Sequence, residues 1–193
     1  MTEINFPELI KQLSGHVIIP FDKTKKEDQD LLNTLEKASK LSIKLMKEKP
    51  IIRERANEAG NDAEGYVEDA IEQCGLKNIP FSKKVGYPDI HFIDKSSNHN
   101  YLEVKTYNFL QEGKNSMRTF YLSPAKNFKI EHDGHHFLIA FAMKSESENG
   151  LLKFEPQKFK IITLDKLVCK LKSEYNAGNQ DLYNKDTMLR DGS

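Results

Sequence analysis

Apolar residues recur at helical spacing in the first third of the chain. Within the stretch DQDLLNTLEKASKLSIKLMKEKP, the positions Leu31, Leu35, Ala38 and Leu45 lie three, four or seven residues apart. This spacing places the four side chains on one face of an α-helix, and Pro50 provides a stop at its end. The sequence therefore predicts one long amphipathic helix before residue 50.

A second helix is predicted over residues 61–74. Asn61 or Asp62 suits the N-cap, and Gly75 follows directly after the last helical position. A polar N-cap and a glycine just past the last turn are common helix boundaries. The two helices precede the region in which strand-like patterns begin.

The middle of the chain changes to short apolar runs that are typical of β-strands. Strands are predicted over residues 79–85, 89–94, 100–106, 118–123, 135–143 and 158–164. The run HHFLIAFAM at 135–143 suits a central strand that is buried on both faces. A short helix over 165–175 and a polar tail complete the chain. This order of elements predicts an α/β domain with a mixed central β-sheet flanked by helices.

Length and cysteine content limit the class of protein. At 193 residues, the chain can form a single domain that buries a core without disulfides. Cys74 and Cys169 lie far apart without a CxxC context, which favours a reducing compartment. No apolar stretch approaches a membrane span, and the N-terminal residues lack the pattern of a secretion signal. We therefore expect a cytoplasmic protein of bacterial type.

The net charge is zero, with 29 basic and 29 acidic residues. A protein that binds nucleic acid through its overall charge would be clearly basic. The charge is nevertheless uneven, since residues 105–129 carry five basic residues and one acidic residue, while residues 54–72 carry seven acidic residues and one basic residue. Any binding to nucleic acid must therefore depend on particular segments.

Charged residues interrupt the two apolar strands at 89–94 and 100–106. If these strands form a hairpin about Ser97, Asp89 lies opposite Lys105, and His91 lies opposite Glu103. All four side chains then share one face of the sheet. The opposite face is apolar and consists of Ile90, Phe92, Leu102 and Val104. Because a one-residue slip would mix the two sets, the apolar pattern favours this pairing.

Two carboxylates that lie close together repel each other unless a cation neutralises them. Mg²⁺ binds one or two carboxylates together with water and phosphate oxygens. A nearby lysine can orient an attacking water or stabilise negative charge on phosphorus. The hairpin therefore suits metal-assisted phosphodiester hydrolysis. The alternative is a charged surface hairpin in which a Lys–Asp pair contributes at most about 1 kcal/mol.

Asp89, Glu103, Val104 and Lys105, together with Pro88, match a known signature. The stretch resembles the PD-(D/E)xK nuclease superfamily and is most similar to a type II restriction endonuclease. The resemblance implies a restriction-endonuclease-like core, dependence on Mg²⁺ and cleavage that leaves 5′-phosphates. It further implies that Asp89, Glu103 and the Val104 carbonyl bind the metal, while Lys105 orients the water.

Members of this superfamily often carry a further glutamate on the preceding helix. Glu64 fits, since it shares a helical face with Val67, Ile71 and Cys74. Glu68 lies near that face and remains an alternative. The similarity covers residues 60–142, so we expect a catalytic core over 59–175, preceded by an N-terminal helical extension at 1–58 and followed by a polar tail at 176–193.

The residues after the hairpin are of types that contact phosphates and base edges. Arg118 and Asn115 are the first choices for reading bases, whereas Lys83 and Lys84 suit contacts with phosphates. The full set of predicted DNA-binding residues is Lys83, Lys84, Asn108, Lys114, Asn115, Ser116, Arg118 and Tyr121. An ordinary polar surface loop is the alternative for this segment.

The stretch EHDGHHF places His132, His135 and His136 close together along the chain. A zinc site needs three or four ligands at suitable spacing, and neither cysteine has a local partner, so a turn that leads into a strand is favoured.

We therefore expect a sequence-specific, Mg²⁺-dependent endonuclease for double-stranded DNA. Cleavage of both strands of a palindrome would require a homodimer. A structure-specific repair nuclease and a non-catalytic DNA-binding module of the same fold are the alternatives.

Overall fold

The computed structural model describes residues 3–55, 58–82, 86–111 and 128–170. Its elements are β1 (Glu3–Asn5), α1 (Phe6–Ser14), α2 (Lys26–Glu48), β2 (Ile51–Arg53), α3 (Glu58–Gln73), β3 (Lys77–Asn78), β4 (Ile90–Ile93), β5 (His99–Asn108), β6 (His135–Glu148), β7 (Leu151–Thr163) and β8 (Val168–Lys170). A short 3-10 helix at Phe109–Gln111 follows β5. None of the described helices is long and apolar enough to cross a membrane.

Six strands form one mixed sheet in the order β2-β7-β6-β5-β4-β3. β5 and β6 run parallel, whereas the other neighbouring pairs are antiparallel. β1 and β8 form a separate two-stranded antiparallel sheet. The predicted mixed α/β architecture is confirmed, with β5 and β6 at the centre of the sheet.

The two predicted helices correspond to α2 and α3. Glu48 ends α2 just before Pro50, as the sequence indicates. α3 begins at Glu58, so Asn61 and Asp62 lie inside the helix, and their predicted role as N-cap is wrong. The helix extends further back because the buried face already includes Ala59. The sequence prediction did not include α1.

The pairing of β4 and β5 differs from the prediction by two residues. Ile90 lies opposite Leu102 and His91 opposite Tyr101, so the predicted pairing of Asp89 with Lys105 is wrong, as is that of His91 with Glu103. The turn sets this register, because the Asp94 carboxylate accepts hydrogen bonds from backbone N–H groups within the turn. A two-residue shift keeps every side chain on its predicted face.

α3 covers the apolar face of this hairpin, while α2 packs beside it against α3 and β7. Ala63, Val67 and Ile71 of α3 belong to the same buried cluster as Ile90 and Val104 of the hairpin. The other face of the sheet is partly covered by α1, through Phe6 and Ile10. The charged residues of the hairpin lie on this second face.

Two other predicted elements differ from the structure. The strand expected at 79–85 is wrong over residues 79–82, because strand pairing ends at Lys77–Asn78 and Pro80 has no N–H group with which to extend it; residues 83–85 lie outside the described residues. The helix expected at 165–175 is wrong over its first half, where Val168–Lys170 pairs with β1. Residues 171–175 and the strand predicted at 118–123 lie outside the described residues.

β6 and β7 form a longer hairpin than the sequence prediction indicated. β6 continues to Glu148, and β7 begins at Leu151. Asn149 and Gly150 connect them with φ angles of 52° and 82°. An Asn-Gly pair between two strands is a strong hairpin signal in a sequence.

The N-terminal residues contribute strands as well as helices. β1 pairs with β8, and β2 forms one edge of the main sheet beside β7. The division of the chain at residue 58 stays a prediction, as does the separate tail, which lies outside the described residues.

Candidate active site

Asp89 lies directly before β4 and is held against β5 by two hydrogen bonds. Its backbone N–H donates to the Leu102 carbonyl at 3.1 Å. Its carboxylate oxygen Oδ2 accepts a hydrogen bond from the Val104 N–H at 2.8 Å. The side chain is therefore fixed directly beside β5, where Glu103 also points to the same face of the sheet.

Glu103 and Lys105 lie two residues apart on β5 and form an ion pair. The Lys105 ammonium donates to Glu103 Oε1. Glu103 is only 4% exposed, whereas the Lys105 side chain is 33% exposed. The second oxygen of Glu103, Oε2, is buried and has no hydrogen-bond partner in the described structure. We call Asp89, Glu103 and Lys105 the acidic site.

Burial and mutual repulsion disfavour two negative charges in the acidic site. Burial, followed by the charge of Asp89, raises the pKa of Glu103 to about 7. Burial also raises the pKa of Asp89, although the Val104 N–H and Lys105 oppose this change. The two carboxyl groups therefore hold protons more readily than isolated carboxyl groups do.

Glu64 on α3 adds a third carboxyl group to this environment. Burial raises the pKa of Glu64 to about 7, and Asp89, Lys105, Glu103 and Glu68 are the charged groups that act on it. Asp89 has the largest effect of these charges and Glu68 the smallest. The charges of the acidic site thus act on Glu64, and its predicted role as the helix carboxylate stays a prediction.

These residues suit a hard divalent cation. Asp89 and Glu103 supply carboxylate oxygens, and Oε2 of Glu103 has no hydrogen-bond partner among the described residues. Within the described ranges, no group of three or more His, Cys, Asp or Glu side chains is arranged to hold a metal ion by itself. Mg²⁺ does not need such a group, because it keeps several waters and uses one or two carboxylates. The donor set therefore fits Mg²⁺.

Lys129 approaches the acidic site from the segment before β6, and the sequence prediction assigned it no role. Its ammonium donates to the Gly86 carbonyl at 2.6 Å and to the Pro88 carbonyl at 2.8 Å. It also lies 4.7 Å from the centre of the Phe81 ring. Burial lowers the pKa of Lys129, and the charges of Asp89, Glu103 and Glu64 oppose that change.

Three histidines lie beside the acidic site on the same face of the hairpin. His91 and His99 are joined by a hydrogen bond of 2.9 Å between ring nitrogens. The His99 and His132 rings stack with centroids 3.7 Å apart. Tyr101 stacks on His91 at 4.7 Å. We call His91, His99 and His132 the histidine cluster. Of these three residues, only His132 belongs to the stretch EHDGHHF.

The other two histidines of that stretch lie on β6 and have different partners. His135 contacts the Ile19 carbonyl through Nδ1 at 3.0 Å. Nδ1 of His136 shares a hydrogen bond of 2.6 Å with the Tyr87 hydroxyl. His136 is fully buried, and burial lowers its pKa to about 3. The predicted turn that leads into a strand is confirmed here.

Most predicted DNA-binding residues lie outside the described residues. These are Lys83, Lys84, Lys114, Asn115, Ser116, Arg118 and Tyr121. Asn108 is described: it is exposed at the end of β5, and its side-chain oxygen accepts a hydrogen bond from the Leu110 N–H at 2.9 Å. Its role in DNA binding stays a prediction.

Comparison with known proteins finds a matching family, a relative in sequence and a similar solved structure. The profile of the Type II restriction enzyme MjaV family matches residues 1–186. The Type II restriction enzyme MjaV of Methanocaldococcus jannaschii is 36% identical over 207 residues, which cover 97% of this chain and 88% of that protein. Tetrameric restriction endonuclease SfiI bound to cognate DNA has a TM-score of 0.46 at 11% identity, over 75% of this chain and 66% of that one. The last likeness is too weak to support an argument.

Proposed function

Because this chain belongs to the Type II restriction enzyme MjaV family, we propose that it is a sequence-specific endonuclease that hydrolyses double-stranded DNA. The family match confirms the resemblance that the hairpin motif indicated, and it does not favour the alternatives of a repair nuclease or a non-catalytic module. The observation that carries the proposal is the acidic site, where two carboxylates and a lysine lie together on one face of a rigid hairpin.

In this proposal, Asp89, Glu103 and the Val104 carbonyl hold Mg²⁺. Once held there, the metal would supply positive charge that stabilises the negative charge developing on the scissile phosphate. The buried Glu103 oxygen, which has no hydrogen-bond partner within the part of the chain that the structure describes, supports this assignment, since such an atom is costly unless a cation or water satisfies it.

Lys105 suits the orientation of the attacking water. Its ammonium is fixed by Glu103 while about a third of the side chain remains accessible. It can therefore hold a water beside the metal-binding carboxylates and stabilise negative charge that develops on the phosphate. Attack of this water in line with the leaving 3′-oxygen forms a new P–O bond while the P–O3′ bond breaks. One product carries a 5′-phosphate, and the other carries a 3′-hydroxyl once its leaving oxygen has taken up a proton.

Glu64 is proposed to assist this step as the helix carboxylate. A carboxyl group with a pKa of about 7 can accept or release a proton near neutral pH. Glu64 lies on α3, so the proposed proton exchange involves a different element from the hairpin that carries Asp89 and Glu103.

We further propose that the active form is a homodimer. A short palindromic site has two-fold symmetry, and a two-fold protein dimer presents one active site to each strand. Asn108 and the predicted residues between 112 and 121 follow β5, which places them after the acidic site along the chain. They are proposed to contact the bases and phosphates of the same DNA.

The direct experiment is a cleavage assay with the purified full chain. Plasmid and bacteriophage DNA are incubated with Mg²⁺ or with EDTA, and the products are separated on a gel. Discrete fragments that depend on Mg²⁺ are expected, with 5′ ends that accept labelled phosphate only after phosphatase treatment. A smear, or cutting limited to branched DNA, would contradict sequence-specific cleavage.

A further inference from the structure

Lys129 is an unusual residue for its position, because it is a lysine that is only 7% exposed. Buried lysines are rare unless their charge is compensated by hydrogen bonds or by acids. Here the two carbonyls of Gly86 and Pro88 accept hydrogen bonds from the ammonium, and the Phe81 ring lies beneath it. The side chain connects parts of the chain more than 40 residues apart.

The carbonyls that Lys129 contacts lie on the two sides of Tyr87. This residue is anchored separately, because its hydroxyl shares a hydrogen bond of 2.6 Å with Nδ1 of His136. The backbone that leads into Asp89 is thus fixed at Gly86, Tyr87 and Pro88. The Pro88 carbonyl belongs to the peptide group that also contains the Asp89 nitrogen, so a bond to it restrains the start of β4.

We propose that Lys129 is a positioning residue of the cleavage site, which holds the backbone at Gly86 and Pro88 and thereby places Asp89 for metal binding. The inference rests on the proposed function, since it assumes that Asp89 binds the metal. Lys129 does not contact the reacting atoms in this role. Its contribution is the placement of a carboxylate that must lie in the correct position beside Glu103.

Lys129 could influence metal binding through its charge or through its placement of Asp89, and the two roles predict opposite changes in metal affinity when the lysine is removed. A buried ammonium close to the acidic site repels a cation, so its removal should strengthen metal binding if charge alone matters. If Lys129 places Asp89, removal should weaken metal binding instead. Loss of residues that orient metal ligands commonly lowers affinity by roughly 10- to 100-fold. The sign of the change therefore separates the two roles.

The test compares Lys129→Met with Lys129→Arg and with a control at Lys144. Methionine keeps the apolar stem but cannot donate to the carbonyls, whereas arginine can. Lys144 is half exposed and pairs with Glu146, so Lys144→Met removes the same charge away from Gly86 and Pro88. Binding of Mn²⁺ to the DNA-free protein is followed through the electron paramagnetic resonance signal of the free ion. The pH is held at about 8, above the pKa of about 7 for Glu103.

Lys129→Met is expected to weaken Mn²⁺ binding by about 10-fold, while Lys129→Arg restores most of it and Lys144→Met changes it by less than about twofold. The Mg²⁺ concentration for half-maximal cleavage should rise in parallel. Unchanged or tighter Mn²⁺ binding in folded Lys129→Met would overturn the inference. If this variant does not fold, Lys129→Gln takes its place, and failure of both to fold would also overturn it.

The binding measurement uses no DNA, so it separates this inference from the proposed function. A wild-type protein that binds Mn²⁺ but cuts no DNA would contradict the nuclease proposal and leave the test of Lys129 intact. Normal wild-type cleavage together with unchanged binding in Lys129→Met would reject the role of Lys129 alone.

Discussion

The acidic site and the histidine cluster lie side by side on the same face of the β4–β5 hairpin. In the histidine cluster, His91 and His99 hydrogen-bond to each other, and the rings stack on neighbouring aromatic side chains. Burial lowers the pKa of His91 to about 4, so its ring is neutral at physiological pH. In the acidic site, burial raises the pKa of both carboxyl groups, and one oxygen of Glu103 has no hydrogen-bond partner in the described ranges.

The polar groups of the histidine cluster satisfy one another and stabilise the fold, whereas those of the acidic site require a bound ligand to be satisfied. Imidazole rings can donate and accept, so a cluster of them can satisfy itself without charge. Ionised carboxylates can only accept, so two of them side by side need a proton or a cation from outside. The acidic site is therefore expected to respond strongly to metal and to substitution, and the histidine cluster only weakly.

The largest effect is expected at Asp89. Replacement by Asn keeps the size of the side chain but removes the charge that the metal requires, so cleavage should fall by roughly 10²-fold or more. Lys105→Ala should produce a loss of similar size, because it removes the group that orients the water. Both effects are measured as single-turnover cleavage rates at saturating Mg²⁺.

Asp30→Asn is the matched control for Asp89→Asn. Asp30 is exposed on α2, so the same chemical change there should leave cleavage within about twofold. Near-normal cleavage by both Asp89→Asn and Lys105→Ala would show that the chemistry occurs elsewhere in the chain. Circular dichroism verifies that each variant is folded.

The next effect concerns the stability of the metal-free protein and depends on pH. The pKa of Glu103 is raised to about 7 from an ordinary 4.5, so the folded state binds more protons than the unfolded state between these values. Stability from this group is present below pH 4.5 and is lost as the pH rises through 7. Glu103→Gln removes this dependence, so the variant should gain on the order of 2 kcal/mol relative to wild type between pH 5 and pH 8.

Urea unfolding in EDTA at the two pH values measures this change. The histidine cluster changes the free energy of unfolding in the opposite direction. Because the pKa of His91 is lowered, its contribution to the stability of the protein is lost as the pH falls below about 6.5. If the free energies of unfolding of Glu103→Gln and wild type differ by the same amount at pH 5 and pH 8, Glu103 is ionised in the folded state over this whole range.

A smaller effect is expected for the carboxylate on α3. Glu64→Gln should reduce cleavage by about 10-fold at pH 8, since it removes a group that can exchange protons near neutral pH. Glu68→Gln makes the same change one helical turn away and should stay within about twofold. Equal losses in the two variants, or a loss only at Glu68, would reject Glu64 as the helix carboxylate.

The grouping of the acidic-site residues on one face was predictable because it depends only on residues that are close together in the sequence. Alternation along two short strands fixes which side chains share a face, and this remains true when the register shifts by two residues. The pairing itself was wrong, because the hydrogen bonds of the Asp94 carboxylate set the turn and no alternation pattern reports them. Helix α3 carried Glu64 to the site as its apolar face predicted.

Contacts between distant parts of the chain were not predictable in this way. Lys129 reaches Gly86 and Pro88 across more than 40 residues, and nothing in its own neighbourhood marks it. The histidine cluster joins residues from three segments, so spacing along the chain does not indicate it. β8 formed where a helix was expected, because pairing with β1 outweighs a weak local preference.

The smallest effect is expected in the histidine cluster, at His99. His99→Ala removes the hydrogen bond to His91 and the stacking on His132, so the protein should lose about 1 kcal/mol of stability at pH 8. Burial lowers the pKa of His99, so this deficit should shrink as the pH falls below 6.5. Cleavage by the folded variant should stay within about threefold of wild type. A loss that approaches that of Asp89→Asn would place the histidine cluster in the cleavage machinery and remove the distinction between the two regions.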